Sequence, residues 1–238
     1  MNNSFIIKKL SEIDDFEQAM DVQRKAWNIE DRDLLPSHFM IEFKEYGEQW
    51  GTFIGNKLIA IALAYPTNCN GIYLLQMLAA LPEYRHLGVD SNLLNHLISI
   101  LKDKNAKKIY WTYNPFDFAN SHLYLTQIKA IGTTVLFNYY GILNSVQHGQ
   151  FPTHRLLCEI NFKPINFWLK EKIFSIPMNE KKILTLESAE ANKIVNDWFT
   201  ELSKIISDDW VVTNFELSDD NETGKFTLNK KQFKNIKS

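Results

Sequence analysis

The spacing of the hydrophobic residues changes from helical to strand-like and back between residues 13 and 101, which restricts the chain to folds that combine helices with a sheet. Apolar residues recur at helical spacing over Ile13–Trp27, and again at Leu93, Leu97 and Leu101. Three strand-like runs lie between these two helices: 49–54, 57–65 and 71–81. A chain with this pattern is neither all-α nor all-β.

The remaining segments extend the pattern to the order β-α-α-β-β-β-α-β-α-β-β up to residue 160. Gly55-Asn56 predicts a hairpin because both residues tolerate the positive φ of a tight turn. Further strands are predicted at 4–10, 107–113, 133–140, 154–160 and 210–215, and further helices at 37–46, 118–131 and 187–206. The order predicts an α/β (α+β) fold with helices on both faces of a mixed sheet. Ser218–Ser238 is polar, and we expect a loosely ordered tail with a short strand at Lys225–Leu228.

The composition excludes several classes of protein. Hydrophobic residues make up 45% of the chain and charged residues 23%, and the net charge of −2 gives no basic footprint for nucleic acid. No apolar run reaches the ~20 residues of a membrane span, and the N-terminus does not read as a signal peptide. Cys69 and Cys158 are too few for a zinc site or a disulfide framework. We therefore expect a cytoplasmic protein without metal, with both cysteines as buried, reduced thiols.

The segment between the strand-like run 71–81 and the Leu93–Leu101 helix has the character of an anion-binding turn. It reads Arg85-His86-Leu87-Gly88-Val89-Asp90. Free N–H groups at a helix start point outward, and the helix dipole favours negative charge there. Gly88 would let the backbone approach a phosphate without a Cβ in the way.

With the element order, this turn resembles the loop of the GNAT acyltransferase superfamily, which follows the pattern Gln/Arg-x-x-Gly-x-Gly/Ala and holds the pyrophosphate of coenzyme A. Four further blocks are similar to one GNAT subfamily of predicted bacterial N-acyltransferases: Trp111–Pro115, Asn120–Leu123, Tyr139–Gly141 and Gly149–Arg155. The likeness implies a GNAT-like, mostly antiparallel twisted sheet. It also implies a core over 1–160, with 161–238 as a C-terminal extension packed on it.

The resemblance implies a binding site for acetyl-CoA or another acyl-CoA. The backbone of the strand before the loop, over Leu78, Ala79 and Ala80, would meet the thioester and pantetheine arm. The residues expected at the pyrophosphate are Arg85, His86, Leu87, Gly88, Val89, Asp90 and Ser91. Asn120 resembles an asparagine that either contacts the cofactor or caps its helix.

The resemblance identifies the catalytic groups less specifically than the residues that bind CoA. Tyr140 is expected to protonate the departing thiolate, with Tyr139 and Tyr124 as alternatives. His154 is a candidate base that the neighbouring Arg155 would keep neutral, although a structural role is also open. Glu83 and Asp117 are further candidate bases. Arg155 is expected to hold a substrate carboxylate or to pair with an acid of the protein, and Trp111 is also assigned to the substrate.

Several residues depart from the subfamily pattern. Asp90 replaces a small residue. Its carboxylate is expected to cap the helix and repel a phosphate unless it turns away, and Ser91 is the alternative cap. Gln76 replaces a histidine, and it cannot act as a base. Asn114 and His154 replace aspartates, and Lys129 replaces a glycine.

Three functions stay open from these observations. The first is a CoA-dependent N-acyltransferase that acts by direct attack on a small amine or amino acid, since neither cysteine lies near the loop. The second is a binding or scaffold protein that has lost CoA. The third is an acyltransferase that uses a carrier-protein thioester. GNAT proteins often dimerise, so a homodimer is expected.

Overall fold

The computed structural model describes residues 4–142, 152–219 and 221–232. By its internal contacts the chain divides into two compact units, residues 1–109 and 110–238. The expected division into a core and an extension at residue 160 stays a prediction.

The first unit contains three helices and four antiparallel strands in the order β1-β2-β3-β4. The helices are α1 (Ile13–Trp27), α2 (Ser37–Phe43) and α3 (Val89–Asp103). The strands are β1 (Ile6–Lys9), β2 (Glu48–Ile54), β3 (Lys57–Pro66) and β4 (Ile72–Ala80). Two 3-10 helices, Asp31–Asp33 and Pro82–Leu87, complete the unit. Each α-helix and strand lies where the sequence pattern predicts it, within a few residues at the ends.

Strand β3 is the centre of the first unit. Its residues from Leu58 to Tyr65 are all buried, and since neighbouring residues point to opposite faces, both faces of the strand are covered. Helices α1 and α3 both pack against it. Helix α1 starts in a capping box between Glu12 and Asp15, which fixes its N-terminus.

The second unit contains the strands β5-β7-β6-β9-β10-β8 in that order, and the pairs β6–β7, β6–β9, β9–β10 and β8–β10 are antiparallel. The strands are β5 (Lys108–Tyr113), β6 (Ile131–Leu136), β7 (Arg155–Asn161), β8 (Phe167–Ile176), β9 (Trp210–Leu217) and β10 (Gly224–Lys231). The helices are α4 (Phe118–Ser121), α5 (Glu180–Ile183) and α6 (Ser188–Ile206), and α4 continues as a π-helical segment, His122–Gln127.

Aromatic residues form much of the core of the second unit. The indole ring of Trp198 on α6 packs against the rings of Phe116, Phe199 and Phe226, at centroid distances of 4.9, 5.1 and 5.8 Å. The indole N–H donates to the carbonyl of Ser175 (2.9 Å), so the buried polar atom has a partner. This packing holds α6 against the sheet.

The structure differs from the sequence predictions in several places. The helix predicted at 118–131 is a short α-helix that continues as a π-helical segment and ends at Gln127, and the strand predicted at 133–140 instead spans Ile131–Leu136. Strand β8 has no predicted counterpart, because most of its residues are exposed and do not alternate. The short strand predicted at Lys225–Leu228 is present but longer than expected: it extends over Gly224–Lys231 as β10, with Phe226 and Leu228 fully buried. Cys158 is buried as predicted, but the prediction that Cys69 is buried is wrong, because it lies exposed near a turn.

Candidate functional site

The strand that leads into the predicted anion-binding turn carries a β-bulge. Two adjacent residues of β3, Leu63 and Ala64, pair with Met77 and Leu75 of β4, so Gln76 has no partner on β3. A bulge leaves the extra residue outside the ladder and bends its strand. It lies at the start of the segment whose backbone is predicted to meet an acyl donor.

Gly88 sets the direction of the turn between β4 and α3. The chain passes through the 3-10 helix Pro82–Leu87 to Gly88, whose φ is +67°, and α3 begins at Val89. Residues with a side chain rarely adopt this φ. A Cβ at Gly88 would also lie 3.3 Å from Ser91 Oγ. The turn leads directly into the N-terminal amides of a 15-residue helix, an arrangement that favours an anion.

Arg85 holds the turn in place through backbone carbonyls. Its Nε donates to the carbonyl of Ala80 at the end of β4 (3.2 Å), and Nη2 donates to the carbonyl of Ala26 near the end of α1. The helix dipole stabilises a cation at a helix C-terminus, so it favours the contact of Arg85 with the end of α1. The guanidinium group is therefore engaged in positioning the loop between two elements of the first unit.

Asp90 and Ser91 both turn back onto the start of α3. The backbone N–H of Ser91 donates to Asp90 Oδ1 (2.8 Å), and Ser91 Oγ donates to the carbonyl of Gly88 (3.0 Å). The N-cap residue of α3 is Gly88. The expectation that Asp90 is the N-cap is therefore wrong, but its carboxylate does occupy one amide of the first helical turn.

The other residues predicted for the loop and for the strand before it differ in how far their side chains are buried. His86 and Leu87 are exposed, whereas the side chain of Val89 is buried under the start of α3. On β4, Ala80 is buried and Leu78 is half-buried. Glu83, a candidate base, is exposed and lies 3.6 Å from Lys57 in an ion pair.

In the second unit, the two candidate proton donors next to each other in sequence are both accessible. Tyr139 and Tyr140 are 53% and 52% exposed, and their rings pack edge to face. Tyr140 Oη lies 3.1 Å from Thr112 Oγ1, and Arg155 Cζ lies 5.4 Å from the centre of the Tyr140 ring. Tyr124, by contrast, is buried between Trp111 and Tyr113.

His154 is held at both ring nitrogens. The backbone N–H of Asn138 donates to Nδ1 (2.9 Å), so the proton lies on Nε2, which donates to Asn196 Oδ1 (2.7 Å). The amide orientation of Asn196 is fixed because its Nδ2 donates to the carbonyl of Asn192. Burial lowers the pKa of His154, the hydrogen bond to Asn196 opposes this, and the charge of Arg155 adds a smaller lowering, so the ring is neutral at pH 7. The lone pair on Nδ1 and the proton on Nε2 of His154 are both used in hydrogen bonds within the protein. This arrangement favours a structural role for His154 over a role as a base.

Arg155 lines a cavity of about 40 Å³ in the second unit, together with a carboxyl group that sequence reasoning missed. The cavity residues are Asn114, Phe116, Pro152, Thr153, His154, Arg155, Glu180, Ile183, Leu184, Val195 and Phe199. Asn114 Nδ2 donates to Glu180 Oε1 (2.7 Å). Burial above all, and then the nearby Asp117, raise the pKa of Glu180 to about 7. No local signal marks Glu180, which follows a helix cap at Asn179 and reads as an ordinary first-turn acid.

Asn120 and Trp111 have partners inside the second unit. Asp117 is the N-cap of α4, and it accepts the backbone N–H of Asn120 (3.1 Å) and its side-chain Nδ2 (2.7 Å). The helix cap is therefore Asp117 and not Asn120, whose side chain binds the capping carboxylate, and the contact of Asn120 with the cofactor stays a prediction. Trp111 is 3% exposed and packs against Tyr124, and its buried Nε1 has no hydrogen-bond partner among the described residues. The Gly149–Phe151 part of the last similar block lies outside the described residues.

Comparisons with known proteins define the class of this fold. The chain matches the ribosomal-protein-S18-alanine N-acetyltransferase from Escherichia coli with a TM-score of 0.55 at 17% identity, over 68% of this chain and 97% of that one. An N-acetyltransferase from Staphylococcus aureus Mu50 gives 0.54 at 11%, over 67% and 99%. The PaiA N-acetyltransferase from Thermoplasma acidophilum, in complex with coenzyme A, gives 0.50 at 18%, over 66% and 99%. The chain thus has the GNAT fold.

The sequence agrees with the fold. Residues 12–127 match the Acetyltransferase (GNAT) family. A comparison with curated proteins gave no match. GNAT proteins use acyl-CoA as co-substrate, so the family and fold support a CoA-dependent acyltransferase activity.

The described part of the chain shows neither a metal cluster nor a membrane-spanning helix. Among residues 4–142, 152–219 and 221–232, no group of three His, Cys, Asp or Glu side chains is arranged to hold a metal ion. In the same ranges no helix is both long and apolar enough to span a bilayer. The homodimer, the cytoplasmic location and the subfamily stay predictions.

Proposed function

We propose that the protein is an N-acyltransferase that moves an acyl group from CoA to the amine of a small molecule or amino acid. The observation that carries the proposal is the sequence of backbone features in the first unit: a bulge at Gln76, a turn through Gly88 at φ +67°, and then the start of α3. These features place one residue of β4 outside the β3–β4 ladder and bring the chain to the N-terminal amides of a helix, which suit a thioester and a diphosphate.

In this proposal the amine nitrogen attacks the thioester carbonyl, an N–C bond forms and the C–S bond breaks. The substrate nitrogen loses a proton to a base, and the departing thiolate takes a proton from Tyr140 Oη. The exposed position of Tyr140, with one hydroxyl neighbour at Thr112, supports this role. Arg155 and Trp111 keep their proposed role at the acceptor, and Arg85 acts by holding the loop.

A second candidate function has its own observation. Asp90 bonds the amide of Ser91, which is one of the donors that a diphosphate would use, and its negative charge opposes a phosphate. This contact favours a GNAT-fold binding protein with weakened or lost CoA affinity. The two candidates differ in what the removal of this single charge should do.

Calorimetric titration of CoA into the full chain and into Asp90→Asn separates the candidates. If the protein is an N-acyltransferase, the wild type binds CoA, and Asp90→Asn binds CoA about three- to tenfold more tightly. The matched control is Asp103→Asn, at the other end of α3 and about 20 Å away at 1.5 Å per residue, where affinity should not change. Binding by Asp90→Asn alone supports the second candidate. If neither protein binds, the CoA proposal is wrong.

Release of free thiol from acetyl-CoA in the presence of amines tests the transfer step. Tyr140→Phe should lower kcat about a hundredfold or more, and Tyr139→Phe, which removes a hydroxyl of equal exposure, should not. Equal losses in the two variants would exclude Tyr140 as the proton donor. Transfer that requires an acylated carrier protein, with no activity from acetyl-CoA, would support the carrier-dependent alternative.

A further inference from the structure

The cavity in the second unit contains a buried cation with unused hydrogen-bond donors. Arg155 is 7% exposed. Within the described ranges its one hydrogen bond runs from Nη1 to the carbonyl of His154 (3.1 Å). A guanidinium group has five N–H donors, so most of them have no hydrogen-bond partner among residues 4–142, 152–219 and 221–232. A buried charge in this state requires water or an anion, and a planar carboxylate matches the guanidinium fork.

A single acidic group faces the same space among the cavity residues. Glu180 Oε1 accepts from Asn114, and burial raises the pKa of Glu180 to about 7. Asp117 raises this pKa as well, whereas Arg155 and the Asn114 hydrogen bond lower it less strongly. The carboxyl group therefore changes charge near neutral pH.

The remaining polar groups of the cavity are already engaged. Thr153 Oγ1 donates to the carbonyl of Gly141 and accepts from the N–H of Tyr140. Asn114 Oδ1 accepts from the N–H of Phe116, and both ring nitrogens of His154 have partners. On the α6 side the walls are Val195 and Phe199, which are apolar. Arg155 and Glu180 are thus the groups through which the cavity can recognise a ligand.

The size and position of the cavity restrict what can enter it. On the scale of its volume, about 40 Å³, one water needs about 10–15 Å³, so the cavity has room for about three waters or a carboxylate group. Leu184 lines it and is 40% exposed, so the cavity lies close to the surface.

We propose that this cavity binds a small carboxylate through Arg155 and takes up a proton on Glu180 as it does so. An anion on Arg155 makes a charged Glu180 less favourable, because two negative groups would then face one cation. The proton comes from the buffer, and no covalent bond changes. The proposal deepens the role that the proposed function gives to Arg155 at the acceptor and rests on it in that respect. Carboxylate binding needs no acyl donor, so CoA and carboxylate titrations can fail independently.

Titration of sodium acetate into the full chain tests the proposal. Acetate stays ionised between about pH 6 and pH 8, so any change in affinity over this range comes from the protein. If binding requires protonated Glu180, acetate should bind about tenfold more weakly at pH 8 than at pH 6. Titrations in two buffers of different ionisation enthalpy should give an uptake of between zero and one proton per acetate at pH 7. A failure of acetate to bind at about 0.1 M overturns the proposal.

Glu180→Gln isolates the proton. This variant keeps the oxygen that accepts from Asn114 but has no charge, so it should bind acetate with one affinity at both pH values and without proton uptake. His154 also lies in the cavity, and burial lowers its pKa. A pH dependence that survives in Glu180→Gln would assign the proton to another group such as His154 and would overturn the proposal.

Arg155→Gln isolates the cation and should weaken acetate binding at least tenfold. The matched control is Arg32→Gln, an exposed arginine whose loss should leave acetate affinity unchanged. If Arg155→Gln does not fold, Arg155→Lys decides, because it keeps the charge but loses the planar fork and should still weaken binding about fivefold or more. Wild-type affinity in the folded Arg155 variant contradicts the proposal.

Discussion

The turn between β4 and α3 and the Arg155–Glu180 cavity are built in opposite ways. The turn is formed by residues 76–91, which are close in the chain, and its important groups are backbone amides and a glycine with positive φ. The cavity is formed by side chains far apart in the chain, as in the bond between Asn114 and Glu180, 66 residues away. The first kind of site follows from local rules, whereas the second exists only when distant elements pack correctly.

The largest effect is expected where packing creates the cavity. Phe199 is 1% exposed, lines the cavity, and contacts Phe116, Trp198 and His154 through its ring. Phe199→Ala should lower the free energy of unfolding by about 3–5 kcal/mol, because the space left by a buried ring is not refilled. Chemical denaturation measures the loss. The control Ile173→Ala removes an exposed side chain of β8 and should change stability by less than about 0.5 kcal/mol.

The same contrast explains how much of the fold could be predicted. Helix α1 has the predicted ends, and the hairpin at Gly55-Asn56 forms with φ +57° at Gly55, because spacing and turn chemistry are local properties. Strand β8 could not be predicted, since it is held by pairing with β10 and buries little of its own surface. Strand β10 was predicted only as a short segment for the related reason that its partners lie elsewhere in the chain.

The next largest effect is the pH dependence that the cavity imposes on stability. Burial raises the pKa of Glu180 from 4.5 to about 7 in the folded protein. Between these values the folded state binds a proton that the unfolded chain has lost, so this group's contribution to stability falls as the pH rises and is lost above about pH 7. Glu180→Gln should therefore raise the free energy of unfolding by about 1–3 kcal/mol near pH 8 and change it little near pH 4.5.

Denaturation curves of wild type and Glu180→Gln at the two pH values measure this difference. Glu201→Gln, which removes an exposed carboxylate of α6, is the control and should give the same small change at both. A Glu180→Gln variant that is less stable than wild type at pH 8 would show that the carboxylate is stabilised by its surroundings rather than destabilised by burial.

The candidate site likewise has one part that could be predicted from local sequence and one part that could not. The Arg85–Asp90 turn could be located from sequence, because its residues are consecutive and glycine marks the required φ. The direction of the Arg85 side chain could not, since its partners Ala26 and Ala80 belong to α1 and β4. Glu180 gave no signal at all, because what distinguishes it is its burial and the approach of Asn114 and Arg155.

A smaller effect is expected from the glycine of the turn itself. Gly88→Ala should lower stability by about 1–2 kcal/mol, because Ala is strained at φ +67°. Gly55→Ala is a matched control, since Gly55 has φ +57° and a Cβ there would meet nothing within 4 Å. Both variants should lose similar stability, but Gly88→Ala alone should also weaken CoA binding in calorimetry. Equal CoA affinity in the two variants would mean that the turn does not hold the co-substrate.

The smallest effect concerns Lys129, which follows the π-helical segment and takes the place of a glycine in the subfamily pattern. Its φ is +61°, so the residue carries the strain that a glycine would avoid. Lys129→Gly should raise the free energy of unfolding by about 0.5–1 kcal/mol, as the relief of strain exceeds the entropy that glycine adds to the unfolded chain. The same exchange at Lys193, exposed within α6, should instead cost about 1 kcal/mol. Opposite changes in stability for one substitution at these two exposed lysines would show that backbone conformation decides the outcome. A loss of stability at both positions would contradict the rule that glycine is favoured at positive φ, on which the prediction of the turn at Gly88 also depends.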